Sequence, residues 1–594
     1  MIDFRNLNSV WASILAETLK RLGLTTAIIC PGSRSTPLAV AFAQQDHVEA
    51  IPVLDERSAA FFALGIAKAS GRPVVLVCTS GTAGANFYPA VIEARESRVP
   101  LLVLTADRPP ELRDCHSGQT IDQVKLYGNY PNWQAELAVP TLEMGMLGYL
   151  RQTVIYAWER SLYPIPGAVH LNIPFRDPLA PIPQPDADTL KSQFQPEEFF
   201  AGVAPTIPPA VGGASYTAIK EWQQCDRGII IAGVAQSQQP QEYCQAIAHL
   251  SKTLGWPVLA EGLSPLRNYA QLNPYLISTY DPILRNQQLA QQLAPAMVIQ
   301  LGDLPTSKQL RTWLSSHQPR RWVIDPSYHN SDPLHGKTTH LRVSVEQLAA
   351  NIFPPRNSEG LGGVSISSPN IGSDYLYQWC VAEAKVRSSI DQKMAAMNQI
   401  FEGKAAWLLS QTLPPGTPIF IANSMPVRDV EFFWTPNNSG IQPFFNRGAN
   451  GIDGTLSTAL GIAHRHQSSV MLTGDLALLH DTNGFLLRNK FVGHLTIILI
   501  NNNGGGIFEM LPIAKFEPPF EEFFATPQDI NFAQMCATYG IEHELITDWE
   551  QLKLRLNPLP TQGIRVLELK THRKIDAMWR QDNLCKFGAT FFSD

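Results

Sequence analysis

The chain reads as an α/β protein of three doubly wound, parallel-sheet domains, and three observations predict it. Strand-like and helix-like runs alternate along most of the 594 residues, which is the pattern of βαβ units. A Pro-rich stretch from 174 to 190 and a Pro/Gly/Ser-rich stretch at 353–373 divide that alternation into three blocks. Within the last block, residues 469–508 hold two apolar runs, 469–473 and 495–500, each ending abruptly in polar residues and glycine. Both runs read as buried parallel strands joined by a helix-compatible crossover. The domain boundaries expected are 1–185, 186–355 and 356–594.

In the first block, strand-like runs lie at 26–30, 73–78, 100–106 and 168–174, with helix-compatible runs at 10–22, 58–69 and 86–96. The second block has strand candidates at 228–233, 257–260, 296–301 and 321–325. The third opens with a long helical pattern from 375 to 413 and continues through strands at 418–423, 470–473, 495–500 and 564–569. A length near 600 residues suits roughly three to four domains.

Composition narrows the function classes. Apolar residues make up 44% and charged residues 16%, the balance of a soluble protein with large cores, and the formal charge of −6 offers no electrostatic case for nucleic acid. The eight cysteines are scattered and never form C-x-x-C, so they read as reduced thiols of a cytoplasmic protein. The N-terminus carries acids early with helical periodicity, unlike a signal or transit peptide. No apolar stretch approaches the ~20 residues that span a bilayer, so no membrane partner is expected. No predicted strand is followed by G-x-G-x-x-G, which argues against a dinucleotide dehydrogenase.

The chemistry begins at Gly474-Asp475 and Asn501-Asn502-Asn503-Gly504-Gly505-Gly506. An Asp carboxylate, the Asn502 amide oxygen and the Gly504 carbonyl are hard oxygen donors that suit Mg²⁺, which fills its octahedron with phosphate oxygens and water. Glycines there let the backbone approach a diphosphate closely. Taken alone, these features fit an ordinary crossover equally well. A second motif lies in the first block, where Leu54-Asp55-Glu56-Arg57-Ser58 leads from a short strand into a helix. It is followed by Thr79-Ser80-Gly81-Thr82-Ala83-Gly84, a strand-to-helix turn whose amides can face a ligand.

Glu56 at a helix start, the 79–84 turn and the distant Gly-Asp…Asn-Asn together resemble the thiamine-diphosphate enzymes, although that family usually has glycine where this chain has Leu476. The resemblance implies the fold of that family, with a pyrimidine-binding, a central and a diphosphate-binding domain in that order. It implies thiamine diphosphate with Mg²⁺ (or Mn²⁺) as cofactors. Glu56 is then the catalytic carboxylate, bonding N1′ of the aminopyrimidine and driving its 4′-amino group toward the imino tautomer. Ser80, Gly81, Thr82, Gly474, Asp475, Asn502, Gly504, Ile507 and Phe508 complete the cofactor contacts, with Asp475, Asn502 and the Gly504 carbonyl on the metal. Ile507 occupies the position of the apolar wedge that bends the cofactor.

Further motifs are Pro31-Gly32-Ser33-Arg34-Ser35-Thr36, Ala106-Asp107-Arg108-Pro109-Pro110, Gly118-Gln119-Thr120, Asn423-Ser424-Met425-Pro426-Val427-Arg428 and Asn446-Arg447-Gly448-Ala449-Asn450-Gly451. They are similar to the branch of the family that decarboxylates 2-oxoglutarate and adds the succinyl unit to isochorismate, toward menaquinone or phylloquinone. The resemblance places Ser33, Arg34, Arg108, Gln119, Lys308, Ser424, Arg428 and Arg447 on substrate; arginine suits such ligands because its planar fork grips carboxylates. Gln309 stands where a second cation is expected, and His116 reads as structural. The family also implies self-association as a homodimer or homotetramer. The alternative is an acetolactate-synthase-like carboligase acting on pyruvate.

Overall fold

The computed structural model describes residues 2–205, 216–352 and 374–589; the 353–373 stretch read as a linker lies outside them. Three six-stranded sheets account for the strands, and every pairing is parallel. The first comprises β1 Thr26–Ile29, β2 Glu49–Pro52, β3 Val74–Cys78, β4 Leu101–Asp107, β5 Trp133–Glu136 and β6 Ala168–Pro174, in the order β2-β1-β3-β4-β6-β5. The second contains β7 Gly228–Ala232, β8 Val258–Ala260, β9 Leu276–Ile277, β10 Met297–Leu301, β11 Arg320–Ile324 and β12 Lys337–Leu341, in the order β12-β11-β10-β7-β8-β9. The third holds β13 Pro418–Ile421, β14 Gln442–Phe444, β15 Ser469–Gly474, β16 His494–Asn501, β17 Glu542–Ile546 and β18 Gly563–Lys570. Its order, β14-β13-β15-β16-β18-β17, repeats that of the first sheet.

The strand orders decide where ligands go. In an open parallel sheet a ligand sits outside the carboxyl ends of the strands where the winding reverses. Those reversals fall between β1 and β3, between β7 and β10, and between β13 and β15. The Pro31–Arg34 and Thr79–Thr82 turns follow β1 and β3; Asn423–Arg428 and Gly474-Asp475 follow β13 and β15. Lys308 follows β10.

Two compact units divide the chain. One is Met1–Pro209 with Asn446–His466 and His480–Gly493; the other is Ala210–Phe445 with Gln467–Leu479 and His494–Asp594. In the first unit the Pro-rich stretch after β6 lies against the first helix, Leu7–Arg21: Asn6 Nδ2 donates to the Ala180 and Ile182 carbonyls at 2.8 and 3.1 Å. The stretch ends in a helix, Pro185–Gln193, with Ala187 and Leu190 buried. The same unit takes in the helix Thr455–Ala463, which crosses the helix Glu56–Ser70 at paired glycines. A Cβ on Gly65 would stand 2.1 Å from the Thr458 carbonyl oxygen, and one on Gly461 2.2 Å from that of Phe62.

In the second unit one apolar core runs continuously from β7 (Ile229, Ile231) through the helix Asp374–Ala396 (Trp379, Val386, Ile390) to β13, β15 and β16 (Ile419, Leu472, Ile498). The expected helix from 375 to 413 is two helices, Asp374–Ala396 and Glu402–Thr412. Phe401 breaks it in extended conformation, its ring packed against Phe433 and Trp579. The crossover from β15 to β16 is likewise a short helix, Asp475–Leu479, followed by a 3₁₀ segment, Thr482–Asn489. Among the described residues no helix is long and apolar enough to cross a membrane.

Backbone-to-backbone contact at Gly65 and Gly461 leaves no room for a methyl group. Gly65→Ala is expected to destabilise the protein by about 1–3 kcal/mol, the usual cost of overpacking a rigid contact. An unchanged midpoint of chemical unfolding would show that the two helices do not meet there.

Candidate functional site

The first unit carries one group of the expected residues. Glu56 is the first residue of its helix, and the preceding Asp55 caps that helix by accepting the Ser58 amide at 2.9 Å. Asp55 Oδ2 also accepts from Asn483 Nδ2 at 2.8 Å, so both carboxylate oxygens are fixed. Glu56 projects, half-buried, from the first turn. Its carboxylate adds to the burial that pushes the Cys30 and Cys78 thiols up.

Across the winding reversal, Gly32 lies against Thr79, whose Cβ would be 2.2 Å from a Cβ on the glycine. Arg34 Nη1 donates to the Phe175 carbonyl at 3.0 Å, and its buried Nε has no hydrogen-bond partner. Ser33 is exposed beside it. Ser80, Arg108 and Gln119 are brought together: Arg108 Nη1 donates to Ser80 Oγ and to the Gln119 carbonyl (2.8 Å), and Gln119 Nε2 donates to the Ser80 carbonyl at 2.9 Å. Gly81 holds φ +85° beside Gln119, and Thr82 is exposed at the start of the short helix. His116 is exposed on the loop between Arg108 and Gln119 and supports no core.

What holds these loops is a buried polar network that sequence reasoning missed. Gln123 Oε1 accepts the Gly81 amide at 2.8 Å, and Gln123 Nε2 donates to Asn172 Oδ1 at 3.0 Å. Asn172 Nδ2 donates to Asp107 Oδ2 at 2.9 Å, and Asp107 Oδ1 accepts the Arg108 amide at 2.7 Å. Arg113 closes the chain on Asp107 at 3.1 Å. Thr105 Oγ1 donates to Asn172 Oδ1 at 3.0 Å, which leaves its oxygen to accept from His170 Nε2 at 2.7 Å. Thr105, Asp107, His170 and Asn172 lie inside apolar strands while Arg113 and Gln123 lie on the loop between β4 and β5, and the motif around Asp107 was the sole available signal.

Arg447 also belongs to this unit. The loop after it is pinned by Glu93, whose carboxylate accepts the Gly448 and Ala449 amides at 3.0 and 2.7 Å. Glu93 in turn faces the buried Lys68, whose pKa burial lowers to about 8.

In the second unit Asp475 opens the short helix after β15 and is buried. Its Oδ1 accepts the Leu476 amide and its Oδ2 the Gly504 amide, both at 2.8 Å, while burial raises its pKa to about 6. Asn502 is buried, its Nδ2 donates to Glu402 Oε1 at 2.6 Å, and its Oδ1 has no partner. Gly504 takes φ +139°, a conformation that residues with a side chain rarely adopt, and a Cβ there would stand 2.4 Å from the Ala525 carbonyl oxygen.

These observations bear on what the site can hold. A buried, unpartnered amide oxygen beside a carboxylate tied to the same glycine turn is a donor set for a hard divalent cation. Among the described residues no group of three or more His, Cys, Asp or Glu is placed to hold a metal ion. A Cβ on Gly474 would meet nothing within 4 Å, leaving the strand end open to a diphosphate. Ile507 and Phe508 follow in a 3₁₀ turn, half-buried. Arg573 fastens that turn by donating to the Asn503 carbonyl at 2.9 Å, to Glu509 at 3.0 Å and to Glu521.

Ser424 sits at φ +73°, unusual for a non-glycine residue, at the entry to the helix Met425–Phe433, and Arg428 Nη1 donates to its carbonyl at 2.6 Å. Lys308 is exposed at the first position of the helix Lys308–His317, with Gln309 beside it. A cation there opposes the helix dipole, so fold stability does not account for it. Its loop is tied to the Arg428 helix indirectly: Thr306 Oγ1 donates to Glu261 at 2.9 Å, and the next residue's amide, Gly262 N, donates to Glu431 Oε2 at 2.5 Å. A second unforeseen cluster lies beneath the same helix. Arg580, fully buried, donates to Asp429 (2.9 and 2.8 Å) and to Glu402 (2.6 Å), and burial pushes Asp429 and Asp576 up to about 7.

The His170 environment has a pH consequence. Burial lowers its pKa to about 3, against ~6.5 unfolded. Between those values the unfolded chain binds more protons, so stability falls as pH drops below about 6.5. His170→Gln is expected to show a smaller loss of unfolding free energy between pH 7 and pH 5 than the native chain. Parallel pH profiles in urea titrations would remove His170 from that account.

Known proteins resemble the chain along nearly its whole length. Residues 11–126 match the family model for the N-terminal TPP-binding domain of thiamine pyrophosphate enzymes. Residues 213–421 match the model described as the middle domain of thiamine pyrophosphate. The chain is 71% identical over 591 residues to the 2-succinyl-5-enolpyruvyl-6-hydroxy-3-cyclohexene-1-carboxylate synthase of Trichormus variabilis, covering 99% of each chain. It is 71% identical over 590 residues to the protein of that name in Nostoc sp., again with 99% of each chain covered. For Trichodesmium erythraeum the identity is 67% over 588 residues and 99% of both chains. With the fold and these likenesses in agreement, the chain belongs to the 2-succinyl-5-enolpyruvyl-6-hydroxy-3-cyclohexene-1-carboxylate synthase family of thiamine-diphosphate enzymes.

Proposed function

We propose that the chain is a carboligase that decarboxylates 2-oxoglutarate and joins the resulting succinyl unit to isochorismate, a step of menaquinone or phylloquinone biosynthesis. The observation that carries this reading is identity of 71% along 99% of relatives that bear the synthase name. The residue chemistry supports it. The two substrates bring several carboxylates to a protein of net charge −6, so local cations have to receive them. Arg34, Arg108, Arg428, Arg447 and Lys308 supply that charge at strand ends and helix starts. Arg34 is held at one guanidinium nitrogen and keeps Nε unpaired, an arrangement suited to a carboxylate ligand. Ser33, Gln119 and Ser424 add polar contacts to the same substrates.

Thiamine diphosphate, when bound, supplies the electron sink for loss of CO₂. The protein's part is orientation, charge and exclusion of water. Glu56, aimed by its capped helix, shares a proton with N1′ of the aminopyrimidine. Ser80, Gly81 and Thr82 line the pyrimidine side, and Ile507 with Phe508 provides apolar support. Gly474 leaves room for the diphosphate, which a Mg²⁺ or Mn²⁺ ion would tie to Asp475, Asn502 Oδ1 and the Gly504 carbonyl. The arginines then hold the second substrate so that carbon–carbon bonding outruns protonation. The protein is cytoplasmic in this proposal and works as a homodimer or homotetramer, which light scattering of the purified protein tests.

Purified protein given thiamine diphosphate, Mg²⁺ and 2-oxoglutarate is expected to consume isochorismate and yield a product heavier by the succinyl unit. Rapid turnover of pyruvate with isochorismate untouched would overturn the substrate assignment. Glu56→Gln is expected to lower turnover at least a hundredfold, within the range of a lost acid–base contribution, with the circular dichroism spectrum unchanged. Native-like turnover in that variant would exclude the proton-sharing role.

A further inference from the structure

We infer that Glu402 is a positioning residue that sets which end of the Asn502 amide faces the metal. The inference rests on the cofactor-site reading above.

An asparagine amide presents an acceptor at one end and two donors at the other, and only the oxygen can ligate a cation. Its neighbours therefore decide whether Asn502 is a ligand at all. Asn502 Nδ2 donates to Glu402 Oε1 at 2.6 Å, and an ionised carboxylate accepts only. The NH₂ group is thereby drawn to Glu402 and Oδ1, buried and unpartnered, is turned the other way. The reverse orientation would set oxygen against oxygen.

Glu402 is itself fixed. It is buried at the first position of the helix Glu402–Thr412, the favoured end for a carboxylate. Its Oε2 accepts from Arg580 Nη2 at 2.6 Å, its Oε1 from Thr571 Oγ1 at 3.2 Å, and its own amide donates to Asp576 at 3.2 Å. Arg580 forks onto Asp429, the residue after Arg428. One buried guanidinium thus serves both the amide that would meet the metal and the helix that carries a proposed substrate arginine.

In Glu402→Gln, Arg580 attracts the new side-chain oxygen, and the new NH₂ then faces Asn502 and turns its amide over. Mn²⁺ titrations of the thiamine-diphosphate-loaded protein, followed by electron paramagnetic resonance, are expected to show Mn²⁺ affinity reduced 10–100-fold, the range for lost outer-shell support. Activity is expected to recover at saturating Mn²⁺. The control Asp576→Asn, in the same cluster without touching Asn502, keeps native affinity.

A paired test does not depend on that single variant folding. Asn502→Asp places a carboxylate against Glu402 and is expected to bind Mn²⁺ weakly. Adding Glu402→Gln to it supplies a donor to residue 502 and an acceptor to Arg580, and is expected to restore at least tenfold of the affinity. Native affinity in Glu402→Gln, equal losses in Glu402→Gln and Asp576→Asn, or no recovery in the double variant would each overturn the positioning role. Native Mn²⁺ affinity in Asn502→Ala would instead overturn the cofactor-site reading beneath it.

Discussion

At the carboxyl edges of the first and third sheets the chain leaves the core through loops that carry charged and amide side chains, several of them buried. Every such group has to find a partner there, because an unpaired buried polar atom costs about 1–3 kcal/mol. The rest of the arrangement follows from how that demand is met. In the first unit Asp107, Asn172 and Gln123 form one chain of hydrogen bonds from the end of β4 to the Gly81 amide. In the second, Arg580 gathers Glu402 and Asp429. Arg34 Nε and Asn502 Oδ1, two of the buried side-chain atoms without a hydrogen-bond partner, lie where ligands are proposed to bind.

The first and third sheets share one strand order, while the middle sheet has another. The same reversal of winding therefore presents two different sets of side chains. Between β1 and β3 it presents Arg34, Ser80 and the loops beside Glu56. Between β13 and β15 it presents Ser424, Arg428 and Asp475. The continuous core that joins the middle sheet to the third explains why those two sheets form one compact unit. The paired glycines of the Glu56–Ser70 and Thr455–Ala463 helices join one segment of the third block, Asn446–His466, to the first, and the Asn483–Asp55 hydrogen bond ties in the second, His480–Gly493.

The interior strands were legible because burial on both faces leaves an apolar run: β3, β4, β6, β7 and β10 are buried throughout, and β16 is buried up to its last residue, Asn501. Edge strands carry no such mark. β5, β12 and β17 are half-exposed, and their sequences, WQAE, KTTHL and EHELI, look like surface loop. Asp475, Asn502 and Glu56 were legible because motif spacing constrains residues near one another in sequence. Glu402, Gln123 and Asn172 were not, since each meets its partner across tens to a hundred residues and only the folded chain joins them. The break at Phe401 was hidden for the opposite reason: helical periodicity of apolar residues persists through it while aromatic packing dictates the backbone.

Asn502 is proposed to face a cation with its oxygen because Glu402 holds its nitrogen. Crystals of the protein with thiamine diphosphate and Mn²⁺, with diffraction recorded at the manganese absorption edge, test it in one measurement. The account predicts an anomalous peak in coordination contact with Asp475, Asn502 Oδ1 and the Gly504 carbonyl, with Asn502 Nδ2 still on Glu402. A peak elsewhere, or one at that turn with Asn502 swung away from Glu402, would contradict it.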